Sequence, residues 1–508
     1  MPSSNVKDSK IKEIIIVGGG TAGWMVAAGL SRLIYDKDIN IRLIESEAIG
    51  TVGVGEATIP HINYFNRLLG LDENEFVKKT NATFKLGIEF VDWGRLGESY
   101  IHPFGDYGVS MDGLRFHHFY HRYAEMGKAP SVDNYCLQVL AAHEGKFQRP
   151  DMSVKNSPLN SIVYAFQFDA SLYAKFMREF SESKGVTRIE GRITTAKQNT
   201  ETGHVESVLL ENGAEYFGDL FIDCSGFRGL LIEQTLKTGY EDWSAMLPCN
   251  RAVARASEAN GEPYPFTRAT AKTAGWQWRI PLQSRIGNGH VYCSDYISDE
   301  DALKTLNEGL DGTPISEPNF LRFKTGIRKK PWNKNVVSLG LAAGFLEPLE
   351  STSIHLIQTA VARLMAHFPD KNFAQTNIDY FNDRTKAEYE QVRDFLILHY
   401  YATEREDTPF WKYCKNMDIP DTLKARLANY KDTAKLYRHD NEIFGETSWF
   451  AVMHGQGLKP DAYHPMAKTI SDAELADRMK KIERVTQACL KPMPTHQSFI
   501  DANCKAGL

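Results

Sequence analysis

Three glycines carry the first recognisable chemistry. Gly18, Gly20 and Gly23 frame Thr21 and Ala22 directly after the apolar run Ile14-Ile15-Ile16-Val17. A turn of that composition lets a pyrophosphate approach the backbone at a helix amino terminus. A helical segment over 24–34 follows, and a second apolar run, Ile41-Arg42-Leu43-Ile44, ends at Glu45, placed to bind ribose hydroxyls. Strand, glycine turn, helix, strand and terminal acid form one βαβ unit, which reads as a dinucleotide site.

A second pattern lies far along the chain, in Gly344-Phe345-Leu346-Glu347-Pro348-Leu349-Glu350-Ser351-Thr352-Ser353. After it, Ile354, Ile357, Val361, Leu364, Met365 and Phe368 recur at three- and four-residue spacing, which predicts an amphipathic helix beginning at the hydroxyl residues. Its free amides and positive dipole end suit a small anion beside Thr352 and Ser353, with Glu350 just outside. An ordinary capped helix would carry the same residues.

Three further groups are less specific. In Phe84-Lys85-Leu86-Gly87-Ile88-Glu89-Phe90 the alternation predicts a strand with Lys85 and Glu89 on its polar face, where a lone lysine is usually solvated. In Gly275-Trp276-Gln277-Trp278-Arg279-Ile280-Pro281 the strand period puts both indoles on one face, which core packing alone would explain. His117 and His121 would share a helix face with metal-ligand spacing. With no HExxH and no paired acid, packed or surface histidines are the better reading.

The elements that must position these groups read as an α/β chain. Leu220-Phe221-Ile222-Asp223-Cys224-Ser225-Gly226 and Val336-Val337-Ser338-Leu339-Gly340 are further strands running into small residues, which suit close approach to a flat ligand. The loop from Gly50 to Ile59 could be a mobile strap or a plain turn. From about residue 383 glycine is scarce and helical spacing dominates to about 438, and a last helix is expected over 472–490. The expectation is a Rossmann-like module over 1–382, with inserted substrate-facing segments at about 80–180 and 240–330. A mostly helical substrate-covering module over 383–508 completes one continuous body.

Composition excludes other classes. The 508 residues carry 59 Lys and Arg against 64 Asp and Glu, a net charge of −5, too balanced for a nucleic-acid binder. Hydrophobic residues at 42% exclude a disordered chain. Seven cysteines with no CxxC spacing argue against disulfides or a zinc cluster, and no stretch approaches a membrane span. A soluble cytoplasmic protein is expected.

Together these segments resemble the flavin-dependent halogenases of the tryptophan-halogenase family. The matching features are GGGTAG at 18–23, GVGEAT at 53–58, ATFKLG at 82–87, HPF at 102–104 and DCSGFRGLL at 223–231. With them go the WxWxIP segment Trp276 to Pro281, EPLEST at 347–352, DFLILHY at 394–400 and SWFAVMHGQG at 448–457. Flavin hydroxylases share the glycine fingerprint but lack the two tryptophans.

The resemblance implies that reduced FAD and O2 form a flavin hydroperoxide, which a chloride or bromide ion attacks to give hypohalous acid. That acid crosses a tunnel to an aromatic substrate. Lys85 would hydrogen-bond it or carry the halogen as a haloamine, while Glu350 would polarise the halogen donor and stabilise the cationic ring or take its proton. Thr352 and Ser353 would hold the halide. Besides Gly18, Gly20, Thr21, Ala22, Gly23 and Glu45, the flavin would meet Glu56, Ile193, Leu341 and Ile354. Trp276 and Trp278 would shield it from substrate. His102 and Phe104 would sandwich an indole, with Ser351 beside it. Family members often carry glycine where Ser353 stands, which leaves chloride or bromide open.

The tyrosine pair that anchors free tryptophan in relatives has no counterpart in Phe444 to Phe450, so an indole or another electron-rich aromatic is expected. A single fingerprint implies a separate flavin reductase as partner. A homodimer is compatible with the resemblance. A flavin-dependent aromatic hydroxylase is the alternative enzyme, and a flavin-binding protein without turnover the third reading.

Overall fold

The computed structural model describes residues 9–47, 55–439 and 442–507. The first half of the glycine-rich loop expected as a strap, Gly50 to Val54, lies outside them.

The strand Glu13–Val17 sits inside a six-stranded sheet, between the parallel neighbours Asn40–Glu45 and Leu220–Asp223. Ile14, Ile15 and Ile16 are fully buried, as a parallel strand covered on both faces requires; this explains an unbroken apolar run instead of an alternating one. The helix Thr21–Leu33 starts at the carboxyl end of that strand and packs on the helices Ala170–Ser183 and Ser353–Ala366. Gly29 permits the second contact, since a Cβ there would lie 2.7 Å from a Val361 methyl.

A seven-stranded mixed sheet forms the second layer. It places Gly275–Pro281 between Thr267–Lys272 and Ile286–Tyr292, with Gly87–Val91 and Ser99–Pro103 at one edge. Trp276 and Trp278 share a face as expected, their rings 6.2 Å apart. Gly289 stands opposite Trp278 in register, and a Cβ on it would strike the indole at 2.1 Å.

The run around Lys85 corrects the alternation. It breaks at Leu86 into Thr83–Lys85 and Gly87–Val91, which belong to two different sheets. Lys85 is fully buried and does not share a solvated face with Glu89, which pairs with Arg268.

The carboxyl part is helical, and its first long helix, Gln375–Tyr401, begins before the composition change near 383. Asp472–Leu490 has the expected bounds. Residues from Ala57 to Met479 share the largest apolar cluster, so the helices and the second sheet bury one core together. Among the described residues no helix is long and apolar enough to cross a membrane. All seven cysteines are buried and unpaired.

Candidate functional site: two cavities and Lys85

Two large cavities are found, and the turn 347–353 forms part of the wall of the first. The first, about 740 Å³, is lined by Gly18, Gly20, Thr21, Ala22 and Glu45, and also by Glu56, Ile193, Leu341 and Ile354. Trp276, Trp278, Ser351 and Ser353 share this wall. Nearly the whole expected flavin set therefore faces one space. Gly20 shows why that space fits a pyrophosphate: an added Cβ there would meet nothing within 4 Å, whereas at Gly18 and Gly23 it would strike backbone at 2.4 and 1.8 Å. Two of the glycines serve the fold and the third faces the cradle.

Glu45 lines the cavity with its carboxylate already held by Arg188 at 2.5 Å. Glu56 faces the same space, and burial pushes its carboxyl up to about 7. Lys175, Arg178 and Arg228 add positive charge to the wall, and none of the three was picked out from the sequence. The two phosphates of FAD would sit among these cations and the amides of Thr21–Leu33.

The helix Ser353–Ala366 begins where the periodicity put it. Thr352 takes the position before it but makes no capping hydrogen bond, and its fully buried hydroxyl has no partner among the described residues. An ordinary cap would have used that oxygen. An unused donor beside a helix amino terminus fits a small anion, as a halide site requires.

The second cavity, about 760 Å³, is lined by Phe104, Tyr107, Phe116, Leu137 and Phe450, together with the rim charges Asp106, Arg115, Glu446 and Lys481. Those charges are already partnered: Asp106 accepts from Thr447, Arg115 pairs with Glu446, and Lys481 with Asp477.

Lys85 stands between the two spaces. Its Nζ donates to Ser351 Oγ at 2.8 Å and to the Thr58 carbonyl at 3.1 Å, and lies 5.3 Å from the centre of the Phe104 ring. Ser351 belongs to the first cavity wall and Phe104 to the second. Ser351 is held at φ 57°, in the left-handed region that costs a non-glycine residue about 1 kcal/mol or more. Burial pulls the Lys85 amine down to about 7 against the opposing field of Glu350. A neutral amine has two N–H groups for its two acceptors and one lone pair to spare.

Glu350 closes the short helical turn Pro348–Glu350 and is fully buried. His102 Nδ1 lies 3.0 and 2.9 Å from its two oxygens. His399 Nε2 approaches Oε1 to 2.8 Å, at ion-pair distance but off the line of a hydrogen bond. Burial alone would raise this carboxyl, yet the charge and hydrogen bonding of His102, with His399, hold it down at about 2. His399 Nδ1 lies 2.8 Å from the Phe395 carbonyl, a contact that orients the ring with Nε2 toward Glu350.

His102 is 2% exposed and reaches Glu350, while Phe104, two positions on, forms the cavity wall. His399 was not singled out: it directly follows the apolar run Phe395 to Leu398, and the segment DFLILHY entered only as a feature of the family resemblance. A histidine and a tyrosine ending such a run were the available signal, since buried polar groups need partners. His117, His118 and His121 pack around Phe450 and its neighbours, and no group of metal ligands occurs among the described residues.

Comparison with known proteins identifies the family. The family model for tryptophan halogenases matches residues 13–472. The tryptophan 6-halogenase ThaL of Streptomyces albogriseolus is 34% identical, over 95% of this chain and 97% of its own length. Two solved flavin-dependent halogenases superpose closely: Xcc4156 of Xanthomonas campestris, with TM-score 0.95, 44% identity and coverage of 98% and 99%, and BrvH of Brevundimonas sp. BAL3, with 0.94, 43%, 97% and 99%. The chain thus belongs to the tryptophan halogenase family, the flavin-dependent enzymes that halogenate with FAD, O2 and halide.

Proposed function

We propose that this chain halogenates an indole or another electron-rich aromatic in the second cavity, through Lys85, with oxidant made in the first. The observation that carries the reading is the double contact of Lys85, with Ser351 on one wall and Phe104 on the other. Bound FAD, reduced by a separate flavin reductase, supplies two electrons, so that FADH2, O2, halide and a proton yield FAD, water and hypohalous acid.

The residues of the chain do the rest. Thr352 and the amides of Ser353 and Ile354 hold the halide. Trp276 and Trp278 keep the aromatic substrate out of the flavin cavity. Ser351 hands the oxidant to Lys85, whose spare lone pair either takes up the halogen or accepts the hydrogen of hypohalous acid. Glu350 stabilises the positive ring formed on attack and receives its proton directly or through His102, so that ArH and HOX leave as ArX and water.

Both cations of the second cavity, Arg115 and Lys481, are already paired with acids, so the carboxylate of a free amino acid would find no unpaired cation there, which supports an indole without that carboxylate. The balanced composition and unpaired cysteines support a cytoplasmic setting.

Lys85→Ala tests the reading. It is expected to bind FAD and consume oxygen much as the wild type does while forming no halogenated indole, measured by mass spectrometry as product per flavin oxidised. Near wild-type product from that variant would remove Lys85 from the mechanism.

A further inference from the structure

Glu347 lies three positions before Glu350 in the same turn and reaches different partners. It is fully buried, and Oε2 accepts from the Trp276 indole at 2.9 Å and from the Tyr400 hydroxyl at 2.5 Å. Its other oxygen has no partner among the described residues. Tyr400 directly follows His399, so two consecutive residues of Gln375–Tyr401 grip the two glutamates of one turn. The two indoles on the flavin-side wall are treated unequally: the N–H of Trp276 is tied, whereas that of Trp278 has no partner among the described residues.

We propose that Glu347 is a positioning residue that fixes the rotation of the Trp276 indole, and that its clamp with Tyr400 keeps the wall between the flavin cavity and Lys85 closed to all but a small oxidant. The inference rests on the reading of Trp276 as a shield. Stability gives Glu347 no evident reason to be there, because a buried carboxyl with one unpartnered oxygen costs free energy that a leucine would not. A leucine cannot accept from the indole N–H, and without that bond only shape holds the ring. A loosened wall diverts turnover: FADH2 and O2 then give FAD and H2O2, both electrons leaving as peroxide.

The test uses the FAD-loaded enzyme as wild type, Glu347→Gln, Glu347→Leu and Trp276→Phe. Three quantities are measured: H2O2 released per flavin reoxidised, the fluorescence of bound oxidised FAD without turnover, and melting temperature. Glu347→Leu is expected to raise the peroxide fraction several-fold and to brighten bound FAD, since an indole held close quenches flavin emission. Glu347→Gln keeps an acceptor oxygen for both donors and should restore most of the wild-type value of each. Trp276→Phe, which removes the indole itself but keeps a ring, should brighten bound FAD at least as much as Glu347→Leu, while its peroxide fraction should fall between the wild type and Glu347→Leu. A folded Glu347→Leu enzyme with wild-type peroxide fraction and wild-type flavin emission would overturn the proposal. If that variant does not fold, Trp276→Phe and Tyr400→Phe decide, and wild-type values in both would overturn it equally. Failure of the halogenase reading looks different: the wild type would yield no halogenated indole, while flavin emission would still score Glu347.

Discussion

Glu347 and Glu350 share one turn and the same full burial, and their environments drive them apart. Burial pushes Glu347 up to about 7, and hydrogen bonds from Tyr400 and Trp276, both neutral, recover only part of the shift. Glu350 meets the same penalty, but two histidines outweigh it and hold its carboxyl near 2. Side-chain type does not decide which acid is charged; the number and charge of the donors do. The turn therefore holds one acid whose carboxylate form is favoured, Glu350, and one whose protonated form is favoured, Glu347.

The harshest way to break this contrast is to remove the charge from Glu350 alone. Glu350→Gln, nearly isosteric, is expected to lower halogenated product per flavin oxidised by about 10²-fold or more, the scale of losing one electrostatic contact in a transition state. FAD affinity should stay near wild type. A loss of product matched by an equal loss of FAD binding would mean that the carboxylate only shapes the turn.

A gentler perturbation sharpens it. His399→Gln removes one of the two rings that hold the Glu350 carboxyl down and leaves Glu350 itself in place, so that carboxyl should rise from about 2 toward its ordinary value. The halogenation rate should then fall by about tenfold on the acid side, with an acid limb that the wild type does not show at pH 4–5. An unchanged kcat profile between pH 4 and 8 would show that His102 alone holds the charge.

How much of this was legible differs between the two cavities. The nucleotide half could be read because local rules fix it: an apolar strand, glycines at one spacing and a terminal acid make a cradle wherever they occur together, and Gly20 faces open space as that spacing demands. The chamber half could not be built from local pattern. Lys85 alternates like a solvated strand residue, and only the break at Leu86 and the loop carrying Ser351 bury it. Resemblance to the family singled out Lys85 and Glu350, but neither motif nor periodicity pairs His399 with Glu350 or Tyr400 with Glu347. Those contacts join segments about 50 residues apart in sequence through tertiary packing.

The smallest effect is also the most direct measure of the contrast, because the two acids should tilt stability with opposite signs in separate pH windows. The carboxyl of Glu347 is raised in the folded protein from 4.5 to about 7, so its contribution is fully present below pH 4.5 and is lost as pH rises toward 7. The carboxyl of Glu350 is lowered from 4.5 to about 2, so its contribution is present above pH 4.5 and is lost as pH falls toward 2. A shift of this size corresponds to at most on the order of 3 kcal/mol for either residue. Melting temperatures of wild type, Glu347→Gln and Glu350→Gln between pH 3 and 8 give the comparison. Between pH 5 and 7 the wild type should lose a few °C relative to Glu347→Gln, with no such trend against Glu350→Gln; below pH 4.5 it should lose ground against Glu350→Gln alone. A flat difference for Glu347→Gln across pH 5–7 would mean that Glu347 is already ionised in the fold, and the contrast between the two acids would collapse to a difference in partners only.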